Sequence, residues 1–425
     1  MKWALYNLIF AVIYPFLLPG FLLRMIRRGG YAARMGDRFA LYPEEIRRRL
    51  SSASGWVWIH AVSVGEVQVA GQLMREWRKV EPSVRFCFST TSSTGWKMAE
   101  KELGDGDILI YNPLDFPNFV KSALKTVKPR AIVLTESEIW PNFILRAKKL
   151  GIPLYLINAR VSDRSAPRYR WVRWWFGEVL SCFTAIFAQS DLDKSRLVGA
   201  GAPAEKIEVT GSFKFDVARR NEAKEKELRQ WIGEGRILLG GSTWPGEDEV
   251  LLKIYQKLLS TSASAPILVI APRHFEKADA VEANIRKAGF KSIRRSIDQS
   301  TNRPIKQAAN VFLADTTGEL MGLYGIADVV FVGKSLCAHG SQNMIEPCLC
   351  GKPTLVGPFT ENFRPVMSDL LASEAIIQVK DADELSERIL ALFEAPSTLG
   401  ERAKVAVEKR RGVVAKCVAS IRGSR

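Results

Sequence analysis

Histidine is nearly absent from this chain. With three histidines in 425 residues, widely separated, a metal site built on imidazole has no cluster to draw on. The six cysteines, at positions 87, 182, 337, 348, 350 and 417, form no Cys-x-x-Cys pair, which sets aside zinc and dithiol redox motifs and fits a reduced, cytosolic body. No metal and no cofactor is expected. Acidic residues are also short: 45 Asp+Glu stand against 61 Lys+Arg, for a formal charge of +16 and a sequence pI near 9.6. That excess points to an anionic partner, whether nucleic acid, anionic lipid or a phosphorylated substrate.

Charge of either sign is missing from Trp3 to Leu23. A helix of that length, at about 1.5 Å per residue, matches a hydrocarbon core of about 30 Å, so residues 1–23 are expected to form a membrane-anchor helix. Eight arginines between Arg24 and Arg49, against only Lys2 before the run, place the body on the cytoplasmic side. Pro15 and Pro19 make a kinked or interfacial helix the competing form. A cleaved signal peptide fits poorly with an Arg-rich flank and no small-x-small site. As a separable anchor, the segment is expected to be removable with the fold intact.

What remains is rich in short apolar runs alternating with helical patterns. Trp56–Ile59, Arg85–Ser89, Ile108–Tyr111, Ala131–Thr135, Leu154–Asn158 and Thr184–Ala188 read as buried parallel strands; Ile237–Gly240, Ile267–Ala271, Val311–Ala314, Val329–Gly333 and Thr354–Val356 repeat the rhythm. The length prior and this repetition predict an α/β protein with two Rossmann-like doubly wound domains. The expected boundaries are an anchor over 1–23, a basic juxtamembrane segment over 24–50, a first domain over 51–210, a polar linker over 211–235, and a second domain with terminal helices over 236–425. Ligands are expected in the cleft between the domains, in loops that follow strands.

The motifs fall in those loops. In Trp58-Ile59-His60-Ala61-Val62-Ser63-Val64-Gly65-Glu66 a strand runs into a small-residue turn and then a helix. Glu66 opens that helix, where the positive end of the dipole favours a carboxylate able to accept a proton. Capping of the first turn is the competing reading. Glu136-Ser137-Glu138-Ile139-Trp140-Pro141-Asn142 sets two carboxylates before a Pro-started helix, to bind an acceptor hydroxyl or to cap. Gly240-Gly241-Ser242-Thr243 has the form of a backbone cradle for phosphate, and Arg273-His274 after the next strand supplies donors to a departing phosphate. The densest run is Val332-Gly333-Lys334-Ser335, then Gly340-Ser341-Gln342-Asn343-Met344-Ile345-Glu346-Pro347, then Gly351-Lys352-Pro353. Glu346 is a carboxylate suited to two ribose hydroxyls, or alternatively a partner for Lys352.

On these residues, together with Asn158-Ala159-Arg160, Thr210-Gly211-Ser212-Phe213-Lys214-Phe215-Asp216 and Asp315-Thr316-Thr317-Gly318-Glu319-Leu320, the chain resembles the 3-deoxy-D-manno-octulosonic acid (Kdo) transferases along its whole length. The resemblance implies a glycosyltransferase fold of the B type at the inner membrane, moving Kdo from CMP-Kdo to a lipid A precursor. It places Glu66 as the catalytic base, Ser63, Glu136 and Glu138 on the acceptor side, and Ser242, Arg273, His274, Gly333, Lys334, Ser335, Asn343 and Glu346 around the donor. Backbone amides of Gly333–Ser335 and the helix after Gln342 would meet the leaving phosphate. Two departures stand out: the family's Gly-Gly-Ser is Gly333-Lys334-Ser335 here, and its His before the Asn is Gln342. The expected partners are CMP-Kdo, the lipid A precursor and anionic membrane lipids, and no nucleic acid. One rival is a UDP-sugar transferase of the same fold. The other is a basic membrane-tethered binding protein, drawn from the charge and from Arg168-Tyr169-Arg170-Trp171-Val172-Arg173-Trp174-Trp175, a run that reads first as an amphipathic helix with buried aromatics.

Overall fold

The computed structural model describes residues 2–13, 16, 32–217, 220–261, 266–297 and 310–423. The chain divides into two compact units, Met1–Val217 with Gly412–Arg425, and Ala218–Arg411. The first carries β1 (Trp56–His60), β2 (Phe86–Thr90), β3 (Ile108–Tyr111), β4 (Pro129–Thr135), β5 (Leu154–Ala159), β6 (Ala185–Ala188) and β7 (Ile207–Val209). They form one parallel sheet in the order β3-β2-β1-β4-β5-β6-β7. The chain thus winds outward from β1 and returns to its other side at β4, leaving a crevice between the carboxyl ends of those two strands.

Strand β1 has apolar residues on both faces because both are covered. Trp56 and Trp58 pack with Ile132, Leu134 and Phe143, while Val57 and Ile59 pack with Val67, Leu73 and Trp77 on the opposite side. The helix Val64–Val80 lies on that second face. Ser63 caps it by accepting from the Glu66 amide, and Val67, Ala70, Leu73, Met74 and Trp77 are its buried stripe.

In the second unit, β8 (Ile237–Thr243), β9 (Ile267–Pro272), β10 (Lys291–Arg294), β11 (Asn310–Leu313), β12 (Val329–Val332), β13 (Thr354–Val356) and β14 (Ile377–Gln378) pair in the order β10-β11-β9-β8-β12-β13-β14, again all parallel. Here the crevice opens between β8 and β12. The two doubly wound sheets expected from the sequence are present.

The segment boundaries differ from expectation in four places. Residues 2–13 form a helix that is not a free anchor: Tyr6 donates to Asp115 at 2.9 Å, Trp3 donates to Glu178 at 2.9 Å, Asn142 donates to Asn7 at 2.7 Å, and Trp3 and Phe10 lie 5.0 Å from Trp175 and Phe116. Among the described residues no helix is long and apolar enough to cross a membrane; positions 14, 15 and 17–31 of the expected anchor and its basic flank lie outside them. From residue 32 onward the basic segment is part of the unit, because Tyr42, Ile46 and Leu50 enter its core and Arg38 donates to the Asn112 carbonyl at 2.7 Å. The expected linker contains the helix Glu222–Ile232, whose Leu228, Trp231 and Ile232 are buried in the second unit. The last helix, Val413–Gly423, belongs to the first unit, since Val413, Val414, Cys417, Val418 and Ile421 join the cluster around Val67 and Trp77 and Asp216 accepts from the amides of Gly412 and Val414.

Asp115 ties the N-terminal helix to the body and also accepts from the amides of Asn142 and Phe143. Burial pushes its carboxyl up to about 7, against those hydrogen bonds. In the unfolded chain the group titrates at about 3.9. The folded state therefore holds the extra proton between these values, and the stabilising contribution is lost as pH rises through about 7. The unfolding midpoint is expected to fall between about pH 4 and 7 and to level off above, and Asp115→Asn to flatten that slope; an unchanged slope in thermal melts would remove Asp115 as its source.

Candidate functional site

In the first unit the side chains singled out from the sequence meet at the crevice between β1 and β4. Glu66 accepts from the Ser63 hydroxyl at 2.9 Å on one oxygen, and from the Val62 amide and the Thr135 hydroxyl, both at 3.0 Å, on the other. The cap leaves the carboxylate turned to the crevice: the reciprocal Ser63–Glu66 bonds fix the rotamer, and the bond from Thr135 at the end of β4 aims it there. It remains partly accessible at the helix mouth.

Glu136 takes the position just after β4, in the left-handed region at φ +49°. A non-glycine residue is strained there by roughly 1–2 kcal/mol, a conformation that persists at functional sites where surrounding bonds enforce it. Here the Glu136 amide donates to the Ile157 carbonyl at 2.9 Å and the Asn158 side chain donates to its carboxylate at 3.2 Å. Burial raises the Glu136 carboxyl above its ordinary value, with Glu66 and Glu138 acting in the same direction and Arg160 and Lys214 opposing. Lys214 is lowered, first by burial and then by Arg160, while Glu136 opposes. Three carboxylates and two cations therefore share this neighbourhood. Glu138 accepts from Trp140 at 3.0 Å and lies 3.6 Å from Nε2 of the fully buried His60, whose Nδ1 is 2.9 Å from the Ser89 hydroxyl.

Thr135, Asn158, Arg160 and Lys214 carried no assigned role at the sequence level. The signal for three of them was their place in quoted motifs at strand ends, where the left-handed Asn158 (φ +52°) also sits. For Thr135 there was none.

The second unit gathers its candidates at the ends of β8, β9 and β12, with two corrections. Gly240 and Gly241 lie inside β8, not in a phosphate-binding turn; a Cβ would come within 2.4 Å of Leu251 and 2.6 Å of Tyr324. They are glycine so that a helix and a tyrosine can pack on the strand, and Ser242 ends up only 9 % exposed. Nor are the amides after β12 free for a phosphate: those of Lys334 and Ser335 donate to Glu247 at 2.9 and 3.0 Å. Gly333 is needed because a Cβ there would fall 2.3 Å from the Ser242 carbonyl oxygen.

Arg273 and His274 follow β9 and are exposed, with the His274 ring edge-on to Trp244 at 5.6 Å. Lys334 lies with its ammonium 4.8 Å from the Trp244 ring centroid. Asn343 donates to Glu346 at 3.0 Å and accepts from the Ile345 amide at 3.1 Å. Burial raises the Glu346 carboxyl and the Asn343 bond opposes it; Asn343, not the alternative Lys352, is its hydrogen-bond partner. The Asp315–Leu320 motif is taken up by ion pairs, Arg294 to Asp315 at 2.9 Å and Arg295 to Glu319 at 3.0 Å.

Residues 33–217 match the family model described as 3-deoxy-D-manno-octulosonic-acid transferase (kdotransferase). A Haemophilus influenzae 3-deoxy-D-manno-octulosonic acid transferase is 32 % identical over 416 residues, covering 96 % of this chain and 95 % of the relative. The chain belongs to the Kdo transferase family. A Bordetella pertussis member is 34 % identical over 350 residues, 80 % of each chain. This Kdo transferase family member is accordingly an enzyme, a glycosyltransferase, and the reading as a basic binding protein falls away. In fold it resembles Anabaena HepE in complex with UDP, at a TM-score of 0.59 and 13 % identity over 87 % of this chain and 100 % of the other. A UDP-N-acetylglucosamine 2-epimerase is similar in fold, at a TM-score of 0.56 and 14 % identity over 88 % of this chain and 97 % of that one. These are two-domain α/β proteins of the glycosyltransferase B-like class.

Proposed function

We propose that the enzyme transfers Kdo from CMP-Kdo to a hydroxyl of a lipid A precursor with inversion at the anomeric carbon. The observation that carries this reading is Glu66 at the crevice of the first sheet, held by Ser63, Val62 and Thr135 with its carboxylate partly open to solvent. Glu66 takes the acceptor proton as the hydroxyl attacks, and CMP leaves. Ser63, Glu136 and Glu138 line the acceptor side. Lys214 and Arg160 offset the charge of Glu66, Glu136 and Glu138 and so keep the neighbourhood hospitable to a phosphorylated acceptor.

Arg273, His274 and Lys334 meet the phosphate that gains charge as the bond breaks, and Asn343 and Glu346 hold the ribose. The reaction so drawn uses no metal and no cofactor. The same proposal places the enzyme on the cytoplasmic face of the inner membrane. Leu5, Leu8, Ile9, Val12 and Ile13 form an exposed apolar face on the N-terminal helix, and Trp171 and Trp174 are 81 % and 67 % exposed beside Arg170 and Arg173. Such a surface suits a helix lying in the interface among anionic lipids.

Incubation of the purified chain with lipid acceptor and either CMP-Kdo or UDP-sugars, read by mass spectrometry, tests the reading. The acceptor is expected to gain the mass of Kdo with CMP-Kdo alone. Transfer from a UDP-sugar and none from CMP-Kdo would replace it with the UDP-sugar alternative.

A further inference from the structure

The crevice of the second sheet is floored by one of the chain's own carboxylates. Glu247, with no exposed surface, opens the helix Glu247–Thr261 after β8. It accepts from the amides of Trp244 at 2.8 Å, Lys334 at 2.9 Å, and Ser335 and Leu336 at 3.0 Å. Successive amides of a turn converging on an anion is the geometry by which proteins hold phosphate. Here a side chain occupies that nest, so the turn after β12 is fastened across the switch point to the start of the helix after β8.

The fastening has a consequence for charge. It holds Lys334 at φ +56°, a conformation that glycine would adopt without strain. The Lys334 carbonyl accepts from the Ser341 amide at 2.7 Å, closing the turn on its other side. The same carboxylate also fixes the backbone of Trp244, on whose ring the Lys334 ammonium rests at 4.8 Å. With the amides engaged, Lys334 supplies positive charge at this crevice, and Glu247 determines where it stands. In the first sheet the corresponding acid, Glu66, is partly open and bonded by two hydroxyls and one amide, whereas Glu247 is fully buried and enclosed by amides.

We infer that Glu247 is a positioning residue for the donor: it clamps the turn after β12 so that Lys334 meets the anionic phosphate of the nucleotide. This rests on the reading of the second unit as the CMP-Kdo unit.

The test compares the full chain with Lys334→Ala, Glu247→Gln, Glu247→Asp and the Lys334→Ala/Glu247→Gln double variant, using CMP as the probe in calorimetry and amide hydrogen exchange at 334–337. Loss of one charge-assisted contact is expected to weaken CMP about tenfold in each of Lys334→Ala and Glu247→Gln. The double variant is expected to be no weaker than either single one, because both act through the same contact. Exchange at 334–337 should accelerate in Glu247→Gln and stay slow in Lys334→Ala, and Glu247→Asp should recover part of the affinity. Should Glu247→Gln not fold, Lys334→Ala and Glu247→Asp decide between them: both must weaken CMP. Wild-type affinity in Lys334→Ala, or fully additive losses in the double variant, would overturn the inference while leaving the donor reading intact. A wild-type chain that binds no CMP would overturn the donor reading itself.

Discussion

Glu66→Gln is expected to lower turnover by a factor on the order of 10² to 10⁴, the range for a lost general base. The amide cannot take a proton, but it is close to isosteric and keeps one oxygen to accept from the Val62 amide and the Thr135 hydroxyl, which now share an oxygen of Glu66. Its NH2 would face Ser63, whose hydroxyl can turn from donor to acceptor. The helix cap therefore survives, and with it the fold and the affinity of the second unit for CMP. Turnover at saturating donor, alongside circular dichroism and CMP calorimetry, separates the contributions. Near-normal turnover in a folded variant would return Glu66 to a capping role and make Glu136, strained and close by at the end of β4, the candidate base.

Removing residues 2–13 is expected to destabilise the first unit by about 4.5–6 kcal/mol. That sum takes about 1.5–3 kcal/mol for the Tyr6 bond to the Asp115 carboxylate and about 1 kcal/mol for each of the half-buried Trp3, Tyr6 and Phe10. Replacing Leu8, Ile9 and Val12 together by Gln on the opposite, exposed face should leave the unfolding midpoint within about 2 °C while reducing co-sedimentation with anionic vesicles, since only the face turned away from the body changes. Thermal melts and vesicle sedimentation on both variants check the division of labour. A truncated chain as stable as the full one would restore the separable anchor; vesicle binding unaffected by the triple substitution would place the membrane contact elsewhere, with Trp171 and Trp174 next in line.

How much was legible depended on how local the cause was. Central strands such as β1 and β4 are visible as unbroken apolar runs because both their faces are buried whatever the neighbours turn out to be. The short outer strands β7, β10 and β14 escaped notice; β10 reads Lys-Ser-Ile-Arg, and pairing at one edge alone puts no apolar pattern into the sequence. Arg168–Trp175 reads as one amphipathic helix but is broken at Val172 into Ala166–Trp171 and Arg173–Ser181, with Trp171 and Trp174 outward and Tyr169 and Trp175 half-buried. An alternation of Arg and aromatics cannot say which rings find a neighbour.

The site divides in the same way. The placement of Glu66 at the crevice was legible because it follows from neighbours in the chain: a strand, a tight turn, a Ser three residues before it and a helix. The sequence by itself also determined the doubly wound class, the scarcity of imidazole and paired thiols, the basic excess and the family. Tertiary structure alone decided that Thr135 aims Glu66, that Glu136 shares its surroundings with Lys214 and Arg160, and that the amides offered to a phosphate are occupied by Glu247, 87 residues before Lys334. It also decided that the last helix returns to the first unit and that the apolar N-terminus is packed on one face. The physical reason is common to all of these: residue type and short-range periodicity fix what a segment can bury and which groups it offers, but hydrogen-bond and ion-pair partners far apart in sequence are chosen only when the sheets bring their strand ends together.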